Sequence, residues 1–183
     1  MKNIERIIKS EKVYSGKILS VKLSTVELPD QKYSKRETVL HDNAAAIVAV
    51  HDDKILLVKQ YRISVDKVIY EVPAGMIEHD ENPKDAALRE LEEETGYRAE
   101  TIEYLTEFYS TPGFCTEKLS IFYAKDLKFA GQNLDEGENL EVVEISIDEA
   151  LNLIESGEIM DAKTIASILF YDKFNRGKWW IKQ

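Results

Sequence analysis

The chain has 183 residues, enough for one sizeable domain with a small attachment. Hydrophobic residues make up 44% and charged residues 32%, a balance that excludes a disordered or fibrous chain and suits a globular one. A formal net charge of −10 argues against a general grip on nucleic acid, and the single cysteine, Cys115, excludes an internal disulfide, which fits a reducing compartment.

The opening stretch MKNIERIIKSEK alternates charge and lacks the apolar core of a signal peptide. No run approaches the ~20 apolar residues that a membrane helix needs. A cytoplasmic protein without membrane or nucleic-acid contact is expected.

Three strand-like runs come first, Ile4 to Tyr14, Lys17 to Leu28 and Tyr33 to Leu40, separated by turns at Ser15-Gly16 and Pro29-Asp30. Three antiparallel strands have one apolar face and little of their own to cover it, so residues 1–41 should pack on the main domain or on another chain. Ala44 to Val50 is continuously apolar and reads as a buried strand. His51-Asp52-Asp53 turns it into a hairpin partner, Lys54 to Tyr61, and Val68 to Val72 follows as a further strand. Pro73-Ala74-Gly75 then leads into a loop. After a helix come strands over Thr101 to Ser110 and Lys118 to Leu127, a polar segment Gly131 to Asn139, a strand Leu140 to Ile147, and helices about Ile147 to Ser156 and Asp161 to Phe174. That order suits an α+β sandwich built on a mixed sheet.

The helix between these strands carries the strongest signal. Its periodicity predicts a start at Pro83 or Lys84 and an end at Glu94, with Pro83 in the first turn and Gly96 as the stop. Residues 75–97 hold eight acids against two bases, so six of the ten net negative charges sit in this one stretch. Glu90, Glu93 and Glu94 stand at i, i+3 and i+4 on one face. Like charges at this spacing repel by roughly 0.2–0.5 kcal/mol per pair, and the C-terminal end of a helix prefers cations. A face that breaks local rules in this way needs a compensating cation. Mg²⁺ fits, with Mn²⁺ as its substitute, because it binds through a few carboxylates and keeps positions for water and phosphate oxygens. Arg89 can pair with Glu93 at i+4 and orient the glutamates, whereas Glu92 points off the shared face.

Gly75, Glu81, Arg89, Glu90, Leu91, Glu93, Glu94, Gly96 and Tyr97 fall at the offsets of G-x5-E-x7-R-E-U-x-E-E-x-G-U. The stretch resembles the Nudix box, and only Tyr97 departs from it, standing where an aliphatic residue is usual. The resemblance implies a Nudix-type α/β/α sandwich with a mixed sheet over residues 42–183. The antiparallel β-sheet extension over residues 1–41 is similar to that of the ADP-ribose pyrophosphatase branch, and a homodimer joined through it is expected. Pro112, sixteen residues after Gly96, resembles a marker of the same branch.

Site roles follow from the resemblance. Metal ligands would be the Ala74 carbonyl, Glu90, Glu93, Glu94 and Glu138. The loop Asp135-Glu136-Gly137-Glu138 matches a D-E-x-E loop of that branch and makes Glu136 the expected general base, with Glu93 as the competing catalytic candidate. Arg36, Arg62, Glu71 and Met76 are the expected substrate contacts. The forked donors of Arg62 suit a phosphate, and Arg36 would reach a neighbouring site, although both arginines read equally well as surface ion pairs. The activity implied is Mg²⁺-dependent hydrolysis of ADP-ribose to AMP and ribose 5-phosphate. The alternatives are another nucleoside diphosphate sugar such as GDP-mannose, and a non-catalytic module that senses nucleotide sugars. An RNA-cap hydrolase would need a basic surface, which the charge does not supply.

Overall fold

A computed structural model describes residues 4–134, 137 and 139–176. The chain divides into two compact units, one of Met1–Asn43 with Tyr109–Lys118, the other of Ala44–Phe108 with Leu119–Gln183.

The first unit is a three-stranded antiparallel sheet, ordered β1 (Arg6–Ser15), β2 (Leu19–Glu27), β3 (Tyr33–His41). The segment after Tyr109 joins it: Val39 donates its N–H to the Phe114 carbonyl at 2.7 Å, and Thr116 donates to the Val39 carbonyl at 3.0 Å. The Thr111-Pro112-Gly113-Phe114 turn is thus tied to β3, far from it in sequence. β1 is the edge strand and is exposed along its whole length, with Ile7, Ile8, Val13 and Tyr14 open to solvent.

The second unit is built on a seven-stranded mixed sheet. Its strands are β4 (Ala44–His51), β5 (Lys54–Arg62), β6 (Lys67–Glu71), β7 (Ala74–Met76), β8 (Tyr97–Tyr109), β9 (Lys118–Phe129) and β10 (Leu140–Ser146). β4 lies at the centre, parallel to β9 and antiparallel to β5 and β7. Its turn into β5 is the two-residue loop Asp52-Asp53, with φ of 48° and 61°. Two left-handed residues give a turn whose twist matches that of the strands, and Asp tolerates them better than most residues.

β4 is apolar from Ala44 to Val50 because both faces are covered. Ala44, Ala46 and Val48 enter one core with Ile55, Leu57, Ile121, Ala150, Ile159 and Ile168, which brings in α2 (Ile147–Ser156) and α3 (Ala162–Arg176). Ala45, Ile47 and Ala49 enter the other core with Leu56, Phe122 and Ala86, Ala87 and Leu91 of α1 (Pro83–Thr95). The expected α/β/α sandwich with a mixed sheet is what forms. Burying a side chain such as Ile47, Leu57 or Leu91 contributes about 1.5–3 kcal/mol, so α1 is anchored chiefly through Leu91 and its alanines.

β7 was not anticipated. Ala74-Gly75-Met76 reads as a loop by composition, yet it pairs with Met76 opposite Ala44 and Ala74 opposite Ala46. Tertiary pairing along the free part of β4 makes this glycine-containing segment a strand. Strand β8 also begins at Tyr97, directly after the helix stop and earlier than its alternation suggests. Among the described residues no helix is long and apolar enough to cross a membrane.

Candidate active site

α1 starts where Asn82 accepts a hydrogen bond from the Lys84 N–H at 2.9 Å, with Pro83 in the first turn. It stops at Gly96, whose φ of 78° is left-handed and whose N–H donates to the Glu92 carbonyl at 2.8 Å. No basic residue stands in the last turn. Neutral donors serve its carbonyls instead: the Gln132 side chain donates to the Glu94 carbonyl at 2.5 Å, and the Asn133 N–H to that of Glu93 at 3.1 Å.

Arg89 gathers the carboxylates. Its Nε and Nη2 donate to the two oxygens of Glu81 at 2.9 and 3.0 Å. Nη1 donates to Glu90 Oε1 at 2.7 Å and to Glu93 Oε2 at 3.0 Å, and Nη2 also reaches the Met76 carbonyl at 3.1 Å. The bond to Glu81 is the main reason the guanidinium is held charged far above its ordinary range, with Glu90 and Glu93 adding to it. In return, Arg89 holds Glu81 below the usual carboxylate range. The expected i,i+4 pair is present, but Arg89 binds four partners rather than one.

Glu94 is buried, only 4% exposed, and its Oε2 accepts the Ala74 N–H at 3.1 Å. Glu90 lies over Gly75: a Cβ built on that glycine would stand 1.9 Å from Glu90 Oε1. The box glycine is therefore a cradle for a carboxylate rather than a turn. Glu92 points elsewhere and forms a two-pronged pair with Arg98 at 2.7 and 2.6 Å.

These residues fit a divalent cation by the chemistry of their donors. Three carboxylates share a face, and a missing side chain at Gly75 makes room for one of them. Among the described residues no group of three or more His, Cys, Asp or Glu side chains is arranged to hold a metal ion, and Glu90 and Glu93 are instead turned to Arg89.

The four expected substrate contacts are placed as follows. Arg62 donates to both oxygens of Glu71 at 2.6 and 2.9 Å, and Lys163 also binds Glu71. Burial alone would raise the Glu71 carboxyl, but Arg62 and Lys163 outweigh it and hold it below its ordinary value. Arg36, in the first unit, forms a two-pronged pair with Glu5 at 3.0 and 2.5 Å. The Met76 side chain is exposed. Glu136 and Glu138 lie outside the described residues. Sequence reasoning passed over Gln132, Asp161, Lys163 and Thr164. They carry no motif spacing, and only the hydrogen bonds across the fold single them out.

The sandwich and the carboxylate-faced helix beside its glycine strand define a Nudix-type hydrolase. Residues 40–167 match the model of the NUDIX domain. The chain is 45% identical over 174 residues to the ADP-ribose pyrophosphatase of Bacillus subtilis (strain 168), covering 93% of this chain and 94% of that one. It is 42% identical over 169 residues to the methanol dehydrogenase activator of Bacillus methanolicus, covering 91% of each. A solved ADP compounds hydrolase shares the fold with a TM-score of 0.87 over 97% of both chains, at 23% identity. The chain belongs to the Nudix family and is a Nudix pyrophosphohydrolase.

Proposed function

We propose that this protein hydrolyses ADP-ribose to AMP and ribose 5-phosphate with Mg²⁺ as its cofactor. The observation that carries the catalytic reading is the face of Glu90, Glu93 and Glu94, with the Glu90 carboxylate seated over the bare Cα of Gly75. The substrate rests on likeness to the Bacillus subtilis enzyme over nearly the whole chain.

Glu90, Glu93 and Glu94 would hold the metal with the Ala74 carbonyl and Glu138. When bound, Mg²⁺ supplies charge neutralisation at the diphosphate and a lowered pKa for the attacking water. The chain's own residues do the rest. Arg89 keeps the glutamates aligned, since it binds Glu81 on one side and Glu90 and Glu93 on the other. Glu136 accepts the proton from the water. Arg62 offers a guanidinium to a phosphate, and the burial of its partner Glu71 fixes its direction. Met76 completes the substrate contacts within the protomer, and Arg36 would be lent to the partner's site across the dimer.

Purified protein assayed with Mg²⁺ against ADP-ribose, GDP-mannose and other nucleoside diphosphate sugars tests this reading. The highest kcat/KM should fall on ADP-ribose. A higher value for GDP-mannose would move the assignment to that substrate, and tight binding without turnover would make the protein a sensor.

We also propose that residues 1–41 form a homodimer interface. The support is β1, an edge strand whose Ile7, Ile8, Val13 and Tyr14 are exposed. Sedimentation at micromolar concentration should give a dimer, and an active monomer would refute it.

A further inference from the structure

Between β6 and β7 the chain crosses from the edge of β5 to the facing edge of β4, in the gap that opens where β4 and β5 part. β6 pairs with β5 and ends with Glu71 opposite Val58, whereas β7 pairs with β4 from Ala74 onward. Val72 and Pro73 make the crossing. Val72 is fully buried and has passed the end of its ladder, so its N–H needs a partner from elsewhere. Pro73 has no N–H to help, and its carbonyl is already bound by the Ile47 N–H at 3.0 Å.

Thr164 supplies that partner from α3, ninety-two positions away. Its hydroxyl oxygen accepts the Val72 N–H at 2.9 Å, and its side chain is fully buried. The hydroxyl proton goes to Asp161 Oδ2 at 2.6 Å. That direction leaves the oxygen lone pairs facing Val72. Asp161 is itself fixed, accepting the Thr164 N–H at 3.0 Å and Lys163 Nζ at 3.0 Å. Lys163 also grips Glu71, the residue just before the crossing. Two residues after Val72, the Ala74 N–H donates to Glu94 Oε2 at 3.1 Å.

We propose that Thr164 is a positioning residue for the metal-binding carboxylates. Its hydroxyl sets where the crossing lies, and the crossing sets where Ala74 meets Glu94. This rests on the metal role proposed above for Ala74 and Glu94. A buried threonine that only filled space would be replaceable by valine, which has nearly the same shape. A hydroxyl that aligns the crossing is replaceable only by serine.

The test uses Mn²⁺ binding to the full-length protein, read by electron paramagnetic resonance, beside the steady-state constants. Partners bonded to a metal ligand typically change affinity by about 10–100-fold, and Thr164, which acts through Val72 two residues before Ala74, should fall at the low end. Thr164→Val should therefore weaken Mn²⁺ by about 10-fold, lower kcat, leave KM within about two-fold and speed hydrogen exchange at the Val72 amide. Thr164→Ser should restore all four. A folded Thr164→Val that binds Mn²⁺ as the parent does, with only its melting temperature lowered, overturns the proposal. Should Thr164→Val fail to fold, Asp161→Asn keeps the test open. It weakens the acceptor for the hydroxyl proton and should loosen Mn²⁺ measurably, and unchanged affinity in that variant overturns the proposal equally. Parent protein that does not bind Mn²⁺ removes the metal reading itself, a different result from parent binding matched by Thr164→Val.

Discussion

Gly75 and Glu90 occupy what is nearly one volume. A Cβ on Gly75 would lie 1.9 Å from Glu90 Oε1 and 2.1 Å from its Cδ. Gly75 is not one of the glycines with a positive φ, so a larger residue is excluded by the carboxylate and not by the backbone. Gly75→Ala should accordingly displace the flexible end of Glu90 at a cost of about 1 kcal/mol or less in stability. Mg²⁺-dependent turnover should drop at least about 10-fold, as expected when a metal ligand is re-aimed. Urea melts and metal-titrated rates on the same preparation decide it. Normal turnover would show that Glu90 is not held in that place for catalysis.

The glutamates of α1 should separate by face. Glu94→Gln keeps the shape of a side chain that accepts the Ala74 N–H and removes its charge, so the protein should fold and lose orders of magnitude in turnover. Glu92→Gln breaks only a pair with Arg98, which is worth under about 1 kcal/mol at an exposed site, and should remain active. Equal losses from the two variants would refute the division.

Acid should loosen the second unit through Glu71. Its folded-state pKa is depressed below the unfolded value, near 4.5, by Arg62 and Lys163 against the opposing effect of burial. A depressed carboxyl contributes stability that is fully present above the unfolded pKa and is lost as pH falls through the folded one. The urea midpoint should therefore fall steadily below about pH 4.5. Glu71→Gln should cost about 1–3 kcal/mol at neutral pH, leaving Arg62 without its carboxylate and Lys163 with Asp161 alone, and should flatten that acid slope. A slope identical to the parent's would assign the acid sensitivity to other carboxylates.

Base and scaffold are separable by kinetics. Glu93 is already engaged by Arg89 at 3.0 Å, which suits an orienting role. Glu136→Gln should depress kcat strongly with KM within a few-fold, as for a group acting mainly in the transition state. Near-normal turnover in that variant, together with an inactive Glu93→Gln that still binds metal, would move the base to the helix.

The sequence by itself determined the parts whose physics is local. The i, i+3, i+4 carboxylates, the Pro83 start and the Gly96 stop are set within a few turns of helix, so α1 and its acidic face were legible before any fold was known. The apolar run at β4 announced a strand covered on both faces for the same reason. Long-range pairing alone decided the rest. Ala74–Met76 becomes a strand only because β4 offers it a free edge. Gly75 becomes a cradle only because α1 lays Glu90 over it. The partnership of Thr164 with Val72 joins residues ninety-two positions apart, and no spacing rule in a chain can express that bond. Periodicity reports which face a side chain takes, whereas the partner waiting on that face is fixed only when the layers close.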